Sequence, residues 1–244
     1  DRWHRGELNS YLMEITARIF GQMDKKTGKR LIDVILDAAK QTGTGMWTSQ
    51  DAMDEQVPLP TIDVAVAMRN LSALEKERTE GSRALPRPIR HFEGDGQAFI
   101  EQLRNGLYAG MIVTYAQGMA LLAVASAKYK YQLDLEAIAR IWRGGCIIRA
   151  ALLEDIRGAF RAKPDLANLL LDPNLSKKVM GLQENLRKAV GVAGELGIPA
   201  PGLMVSLAYL DGYRSVWSPA KWIQAQRDYF GTHNYERIDA RGTN

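Results

Sequence analysis

From Asn105 to Ala127 the chain carries no charged residue, reading NGLYAGMIVTYAQGMALLAVASA. With Phe99-Ile100-Glu101 before it and Lys128-Tyr129-Lys130 closing it, the helical pattern runs uninterrupted for roughly eight turns. A helix that is apolar on nearly every face has to be surrounded, either by lipid or by other helices. About 20 apolar residues span a bilayer, so length alone permits a membrane crossing. However, Asn105, Thr114, Gln117 and Ser126 are spread along the run, and no second stretch resembles a span. Gly106, Gly110 and Gly118 offer flat patches where another helix backbone can come close. The expectation is a central core helix wrapped by amphipathic helices, with no membrane.

The 244 residues suffice for one large core or two fused small ones. A net charge of +4 suits an anionic small molecule, and the basic residues are too interleaved with acidic ones to argue for nucleic acid. A lone cysteine, Cys146, excludes an internal disulfide framework and suits a reducing, cytoplasmic setting. The opening DRWHRGELNS has no apolar signal region and no initiator methionine, so a piece upstream is expected to have been removed.

In chain order, Leu8, Leu12, Ile15 and Ile19 mark a helix from Glu7 that ends near Gly21. Leu31, Ile32, Ile35, Leu36 and Ala39 predict a second. Thr48, with Asp51 three residues on, is a plausible N-cap for a short helix to about Glu55. Val57-Pro58-Leu59-Pro60 forces an extended turn before a helix from Thr61 to about Glu80, and Leu85 to Gly96 reads as a long connection. Beyond the central helix, Asp134 caps a helix through Trp142, Gly144-Gly145 breaks it, and Ile147 to Arg161 continues. Asp172-Pro173 makes a turn, and Ser176 to Leu196 and Leu203 to Val216 form further helices. Ser218-Pro219 starts a last one that stops at Gly231. No segment alternates with period two, so the fold class is all-α.

The segment Val57 to Met68 matches Ile198 to Tyr209 in pattern, each a Pro-x-Pro turn opening an apolar helix. The economical reading is a duplicated helical unit, with half-repeats roughly 1–84 and 97–217. The helical domain then covers 1–230 and leaves 231–244 as an extended tail.

Three places can carry chemistry. In Thr42-Gly43-Thr44-Gly45 the glycines let backbone amides converge and the hydroxyls add donors, which suits a phosphate; a flexible turn is the alternative. Arg69 shares a helical face with Ile62, Ala65, Val66 and Ala73, and a guanidinium buried there needs an anion, either a ligand or an internal carboxylate. Arg227 lies in the last turn of a helix with His233 just past its stop. Arg227 either complements the helix dipole or grips a carboxylate or phosphate in a bidentate fork. Trp3 with His4, and His91, have no metal-ligand spacing; Cys146 reads as a buried thiol; Glu7 and Glu14 read as solvated carboxylates. No Gly-x-Gly-x-x-Gly follows a predicted strand, and no Ser-His-Asp set can be argued.

At Gly43-Thr44-Gly45-Met46-Trp47-Thr48, Trp142-Arg143-Gly144-Gly145-Cys146-Ile147-Ile148-Arg149 and Ile223 to His233 the chain resembles 6-phosphogluconate dehydrogenase. The likeness extends through Gly6-Glu7-Leu8, Tyr115-Ala116-Gln117-Gly118 and Asn168-Leu169-Leu170-Leu171-Asp172, covering essentially the whole chain in order. It implies the C-terminal all-helical domain of that enzyme, with its internal duplication and without the N-terminal Rossmann domain. The family oxidatively decarboxylates 6-phosphogluconate to ribulose 5-phosphate with NADP+, in the pentose phosphate pathway. It works as a cytosolic homodimer in which one subunit's tail completes the other's site. On that resemblance Thr44 and Arg69 match substrate-phosphate ligands of their own subunit, and Arg227 and His233 match ligands delivered across the dimer. The family's catalytic lysine and glutamate lie upstream of Asp1, so the chain alone is expected to be inactive. Thr42 and Met46 stand where the family has lysines, the first of which is a phosphate ligand; phosphate binding is expected to be weaker for it. The other reading is an all-helical interaction protein that has kept the scaffold and lost the chemistry.

Overall fold

The computed structural model describes residues 1–242, and those residues form ten α-helices with no strand beyond two isolated bridges. They are α1 (Tyr11–Gly21), α2 (Thr44–Asp54), α3 (Pro60–Ser72), α4 (Glu75–Ala84), α5 (Gly96–Tyr129), α6 (Leu135–Arg143), α7 (Leu152–Ala162), α8 (Pro173–Glu195), α9 (Pro201–Tyr213) and α10 (Ala220–Gly231). The chain divides into two compact units, one running to Leu207 and the other starting at Ala208.

The uncharged run is the body of α5, which is 34 residues long. Asp95 caps its start by accepting from the amides of Gln97 and Ala98, and Lys130, left-handed at φ 57°, ends it. By length and composition alone this helix is apolar enough to cross a membrane, yet half of its most apolar window is buried inside the protein. Its main neighbour is α8. A Cβ on Gly106 would stand 3.0 Å from the Leu186 Cα, so the two backbones touch there and only glycine fits. Gly110 meets the Leu203 side chain of α9 instead, and Gly118, expected to receive a helix backbone, faces open space. Ile112, Val113 and Met119 of α5 are fully buried, as are Leu152 and Ile156 of α7 and Leu186 of α8. Each such side chain contributes about 1.5–3 kcal/mol by leaving water.

Several expected boundaries move, each for a local reason. α1 begins at Tyr11 because Ser10 caps it, accepting from Met13 N, while Ser10 bridges to Ala150. The same pairing delays α7: Tyr11 N donates to Arg149 O, Ala151 N donates to Asn9 O, and Tyr115 Oη donates to Ile148 O. The backbone from 148 to 151 is therefore committed before a helix can form.

The helix expected on Leu31 to Ala39 is a single 3-10 turn, Leu31–Asp33. Beyond it, backbone groups are taken by side chains of α3 and α4. Arg78 donates to Asp37 O, Arg69 donates to Lys40 O, and Ala39 N donates to Ser72 Oγ. The apolar spacing is there, but Ile35 and Leu36 stay more than half exposed. Arg78 also donates to Ser72 O, which occupies a C-terminal carbonyl of α3 where the predicted single helix breaks into α3 and α4. At 172 the expected turn is a cap: the Asp172 carboxylate accepts from Asn174 N and Leu175 N, and Pro173 opens α8. Beyond Gly231 the described residues form no helix.

Gln117 is the polar exception inside α5, 0% exposed. Its Oε1 accepts from Thr61 N at 3.0 Å and its Nε2 donates to Thr61 Oγ1 at 2.9 Å. Thr61 Oγ1 lies 3.1 Å from Ser206 Oγ, which donates on to Gly202 O at 2.7 Å. One amide thus ties the start of α3 directly, and Ser206 of α9 through Thr61, to the middle of the central helix. Replacing it by Gln117→Ala leaves a buried donor and acceptor unpaired and a cavity behind. We expect a loss of about 2–4 kcal/mol, read as a lower urea midpoint at unchanged m.

A second tie holds the far end of α2. Glu55, with a side chain only 3% exposed, accepts from Lys128 Nζ at 2.6 Å and from Tyr129 Oη at 2.7 Å. These bonds, the Lys128 one first, hold its carboxyl below the ordinary value of 4.5 and push the Lys128 ammonium and the Tyr129 phenol up. A depressed carboxyl stabilises the fold above its unfolded-state pKa and loses that contribution as pH falls through its folded-state pKa. Wild type should therefore outlast Glu55→Gln at neutral pH, with the gap closing in acid. A gap in denaturation midpoint that stays constant from neutral to acid pH would contradict it.

Candidate functional site

The loop before α2 and the last turns of α3 make one surface. Gly43 sits at φ +107°, a conformation that favours glycine, and a Cβ there would press on the Trp47 ring at 3.2 Å. It turns the chain into α2, whose first amides, on Thr44, Gly45 and Met46, have no carbonyl a turn earlier to bond. Trp47 N is the first to bond back, to Gly43 O at 2.9 Å. Those free amides and the helix dipole give this end a partial positive charge suited to an anion. Thr44 is exposed at its head. Thr48, expected as the cap, is inside the helix and donates to Thr44 O at 2.8 Å.

Gly45 sets the distance to α3, since its Cβ would be 3.1 Å from Val66 Cγ2. Arg69 follows Val66 by three residues, one turn further along the same side of α3. The expected buried guanidinium is not found: Arg69 is exposed, and it donates to the Lys40 carbonyl rather than to a carboxylate. Its neighbours bind the same loop, through Asn70 Oδ1 to Gln41 Nε2 at 2.6 Å and Ser72 Oγ to Ala39 N at 2.9 Å. Thr44 and Arg69, far apart in sequence, are thus brought onto adjacent helices with the 39–43 strip laid between them. Lys40, exposed in that strip, makes no ion pair among the described residues. Nothing in its sequence context marked it out.

The second unit carries Arg227 and His233. Thr232, left-handed at φ 52°, ends α10 with its amide on Asp228 O. His233 folds back over the helix end: a Cβ on Gly231 would lie 2.7 Å from its Nε2, and its ring meets Phe230 edge-on at 6.2 Å. Arg227, one turn earlier, donates to Gln224 Oε1 at 3.2 Å. Gln224 donates to Asn234 O, and Asn234 N donates to Asp228 Oδ1 at 2.9 Å, so the first residues of the tail are stapled to the helix that bears Arg227. Tyr229 is 95% exposed and Phe230 73% exposed beside them.

The main apolar cavity, about 720 Å³, runs along α5 where Gly118 leaves space, between Met111, Tyr115, Trp142 and Ile148. Burial pushes the Tyr115 phenol up to about 12. No charged side chain lines this cavity, so an anion has no partner in it. Among the described residues no three His, Cys, Asp or Glu side chains gather to hold a metal ion.

The comparisons with known proteins agree over the whole chain. A family model described as 6-phosphogluconate dehydrogenase, C-terminal domain, matches residues 1–244. The chain is 50% identical over 239 residues to the decarboxylating 6-phosphogluconate dehydrogenase of Synechococcus elongatus, covering 97% of this chain and 51% of that one. It is 48% identical over 241 residues to the NADP(+)-dependent decarboxylating enzyme of Bacillus subtilis, covering 98% and 51%. The solved structure of Plasmodium falciparum 6-phosphogluconate dehydrogenase, studied apo, with its cofactor NADP+ and with its substrate 6-phosphogluconate, superposes with a TM-score of 0.95 at 40% identity, over 99% of this chain and 52% of that one. The chain thus spans about half the length of the relatives it matches. With the helical order, the Gly-Thr-Gly helix start and the profile all in agreement, the chain belongs to the family of 6-phosphogluconate dehydrogenase C-terminal domains.

Proposed function

We propose that this chain is the substrate-binding and dimerisation half of a 6-phosphogluconate dehydrogenase, a cytoplasmic enzyme that oxidatively decarboxylates 6-phosphogluconate to ribulose 5-phosphate with NADP+. The observation that carries the reading is the exposed amide-bearing start of α2, held beside Arg69 in a chain whose whole length matches the family.

In this proposal the chain supplies binding and orientation. The amides of α2 and the Thr44 hydroxyl donate to the substrate's phosphate, and Arg69 adds a charge-assisted contact. Arg227 and His233 come from the partner's α10 and tail and close the site from the other side. Anchoring the phosphate end fixes where the reacting carbons lie, which converts binding into a lower barrier. The hydride acceptor would be supplied by NADP+ when it is bound. The described residues hold no strand-turn-helix with a glycine-rich loop, so they do not fit the dinucleotide, and its cradle belongs to the other half of such an enzyme. The replacement of two lysines by Thr42 and Met46 favours a second reading, a scaffold that has lost the chemistry. It is weakened by identities near 50% to enzymes of that name.

Dimerisation is supported by the apolar surface of the second unit, where Trp217, Trp222, Tyr229 and Phe230 are all exposed. Such a surface is costly unless another chain covers it. The test uses full-length subunits carrying either Arg69→Ala or Arg227→Ala. Each variant alone should lose roughly two orders of magnitude in kcat/KM. Co-refolding equal amounts should restore about a quarter of wild-type activity, because about half the dimers are mixed and each mixed dimer rebuilds one of two sites. If the mixture stays as inactive as its parents while wild type refolds, Arg227 serves its own subunit. If neither variant is impaired, the scaffold reading takes its place.

A further inference from the structure

The strip between Asp37 and Gly43 is held to α3 and α4 at Asp37, Ala39, Lys40 and Gln41, although it is neither helix nor strand. Arg78 takes both the Asp37 carbonyl, at 2.8 Å, and the Asp37 carboxylate, at 2.5 Å. Ser72, Arg69 and Asn70 then take Ala39, Lys40 and Gln41 in turn. These bonds fix the Lys40 backbone directly against the Arg69 guanidinium, four residues before the exposed start of α2. The one acid of the strip, Asp37, is already neutralised by Arg78. The Lys40 side chain is exposed and without an ion pair, on a four-carbon stem that can aim its ammonium at a ligand beside Arg69.

The charge balance favours such a role. A phosphate monoester near neutral pH carries close to two negative charges. Within one subunit it would meet one guanidinium and a helix end worth about half a positive charge. Thr42, nearest the turn, is neutral. We propose that Lys40 is a second cation of the phosphate pocket, supplying from two residues upstream the charge that Thr42 does not carry. This rests on the reading of the α2 start and Arg69 as the phosphate site.

The structure also makes the role separable from folding. Arg69 bonds the Lys40 backbone carbonyl, so Lys40→Ala removes the ammonium and leaves that anchor in place. In the full-length enzyme, Lys40→Ala should raise KM for 6-phosphogluconate about tenfold with kcat changed less than twofold, and Lys40→Arg should recover most of the loss. Competitive inhibition by inorganic phosphate should weaken in parallel, whereas inhibition by unphosphorylated gluconate should not. Adding Thr42→Lys to Lys40→Ala should restore KM, since the charge returns to the same loop. If Arg69→Ala raises KM but Lys40→Ala does not, the Lys40 assignment is wrong and the site stands. If neither does, the phosphate-site reading fails and Lys40 with it. Equal weakening of phosphate and gluconate inhibition by Lys40→Ala would mean a general distortion and would also overturn the proposal.

Discussion

The structure depends on one amide placed inside an otherwise uncharged helix. Gln117 spends both ends of its side chain on Thr61, and through Thr61 it reaches Ser206. Apolar packing is non-directional and would let α3 slide along α5 by a turn at modest cost. An unpaired amide or hydroxyl in that interior costs about 1–3 kcal/mol, so a slid register is penalised at several groups together. The position of Thr61 sets the register of α3 and therefore where Val66 and Arg69 stand. Gly45 then lets α2 come close against Val66, where a Cβ would stand 3.1 Å from Val66 Cγ2. The placement of the candidate phosphate site traces back to the core through these few contacts.

The two ends of α2 are treated in opposite ways. Its C-terminal end is pinned by Glu55 between Lys128 and Tyr129, and by the packing of Ala52, Val57 and Leu59 on Leu121. Its N-terminal end is left polar, with free amides beneath an exposed threonine. A helix fixed at one end can present the other without a carboxylate nearby to compete for the amides. The acid of the adjoining strip, Asp37, is already occupied by Arg78. Cations near the loop are thereby left available to a ligand.

The fold was legible where one segment carried its own signal. The uncharged run, the Asp134 cap, the two Pro-x-Pro starts and the 85–96 connection lie where their residues placed them. It was illegible where distant groups competed for the backbone. Leu31 to Ala39 has helical spacing, but Arg69, Ser72 and Arg78 from later in the chain capture that stretch. Arg149 to Ala151 pairs with Asn9 to Tyr11 at the start of α1, which no local pattern records. Arg69 was singled out for the wrong reason: its apolar neighbours in spacing suggested burial, and the side chain is in fact exposed over a carbonyl. The turn into α2 at Thr44 was legible because glycines on both sides are costly unless the backbone needs them, whereas Lys40, proposed above as a phosphate ligand, had no such mark. A lysine in a polar loop looks like solvent-facing charge until the fold shows which guanidinium it sits beside.

Arg227 and His233 pose a different physical problem, since a charged fork cannot provide the energy of its own desolvation. In the proposed dimer that energy comes from the rings around it. Tyr229 and Phe230 are the most exposed aromatic residues of α10, and they lie within one turn of Arg227. Burying two such rings against a partner is worth a few kcal/mol, comparable with the cost of taking a guanidinium partly out of water when it meets a phosphate. The staples from Gln224 and Asp228 to Asn234 set His233 beside the same end before any partner arrives, so little ordering entropy remains to be lost on docking. On this view α10 is a rigid carrier: its apolar rings provide the affinity, and its arginine and histidine provide the chemistry of recognition.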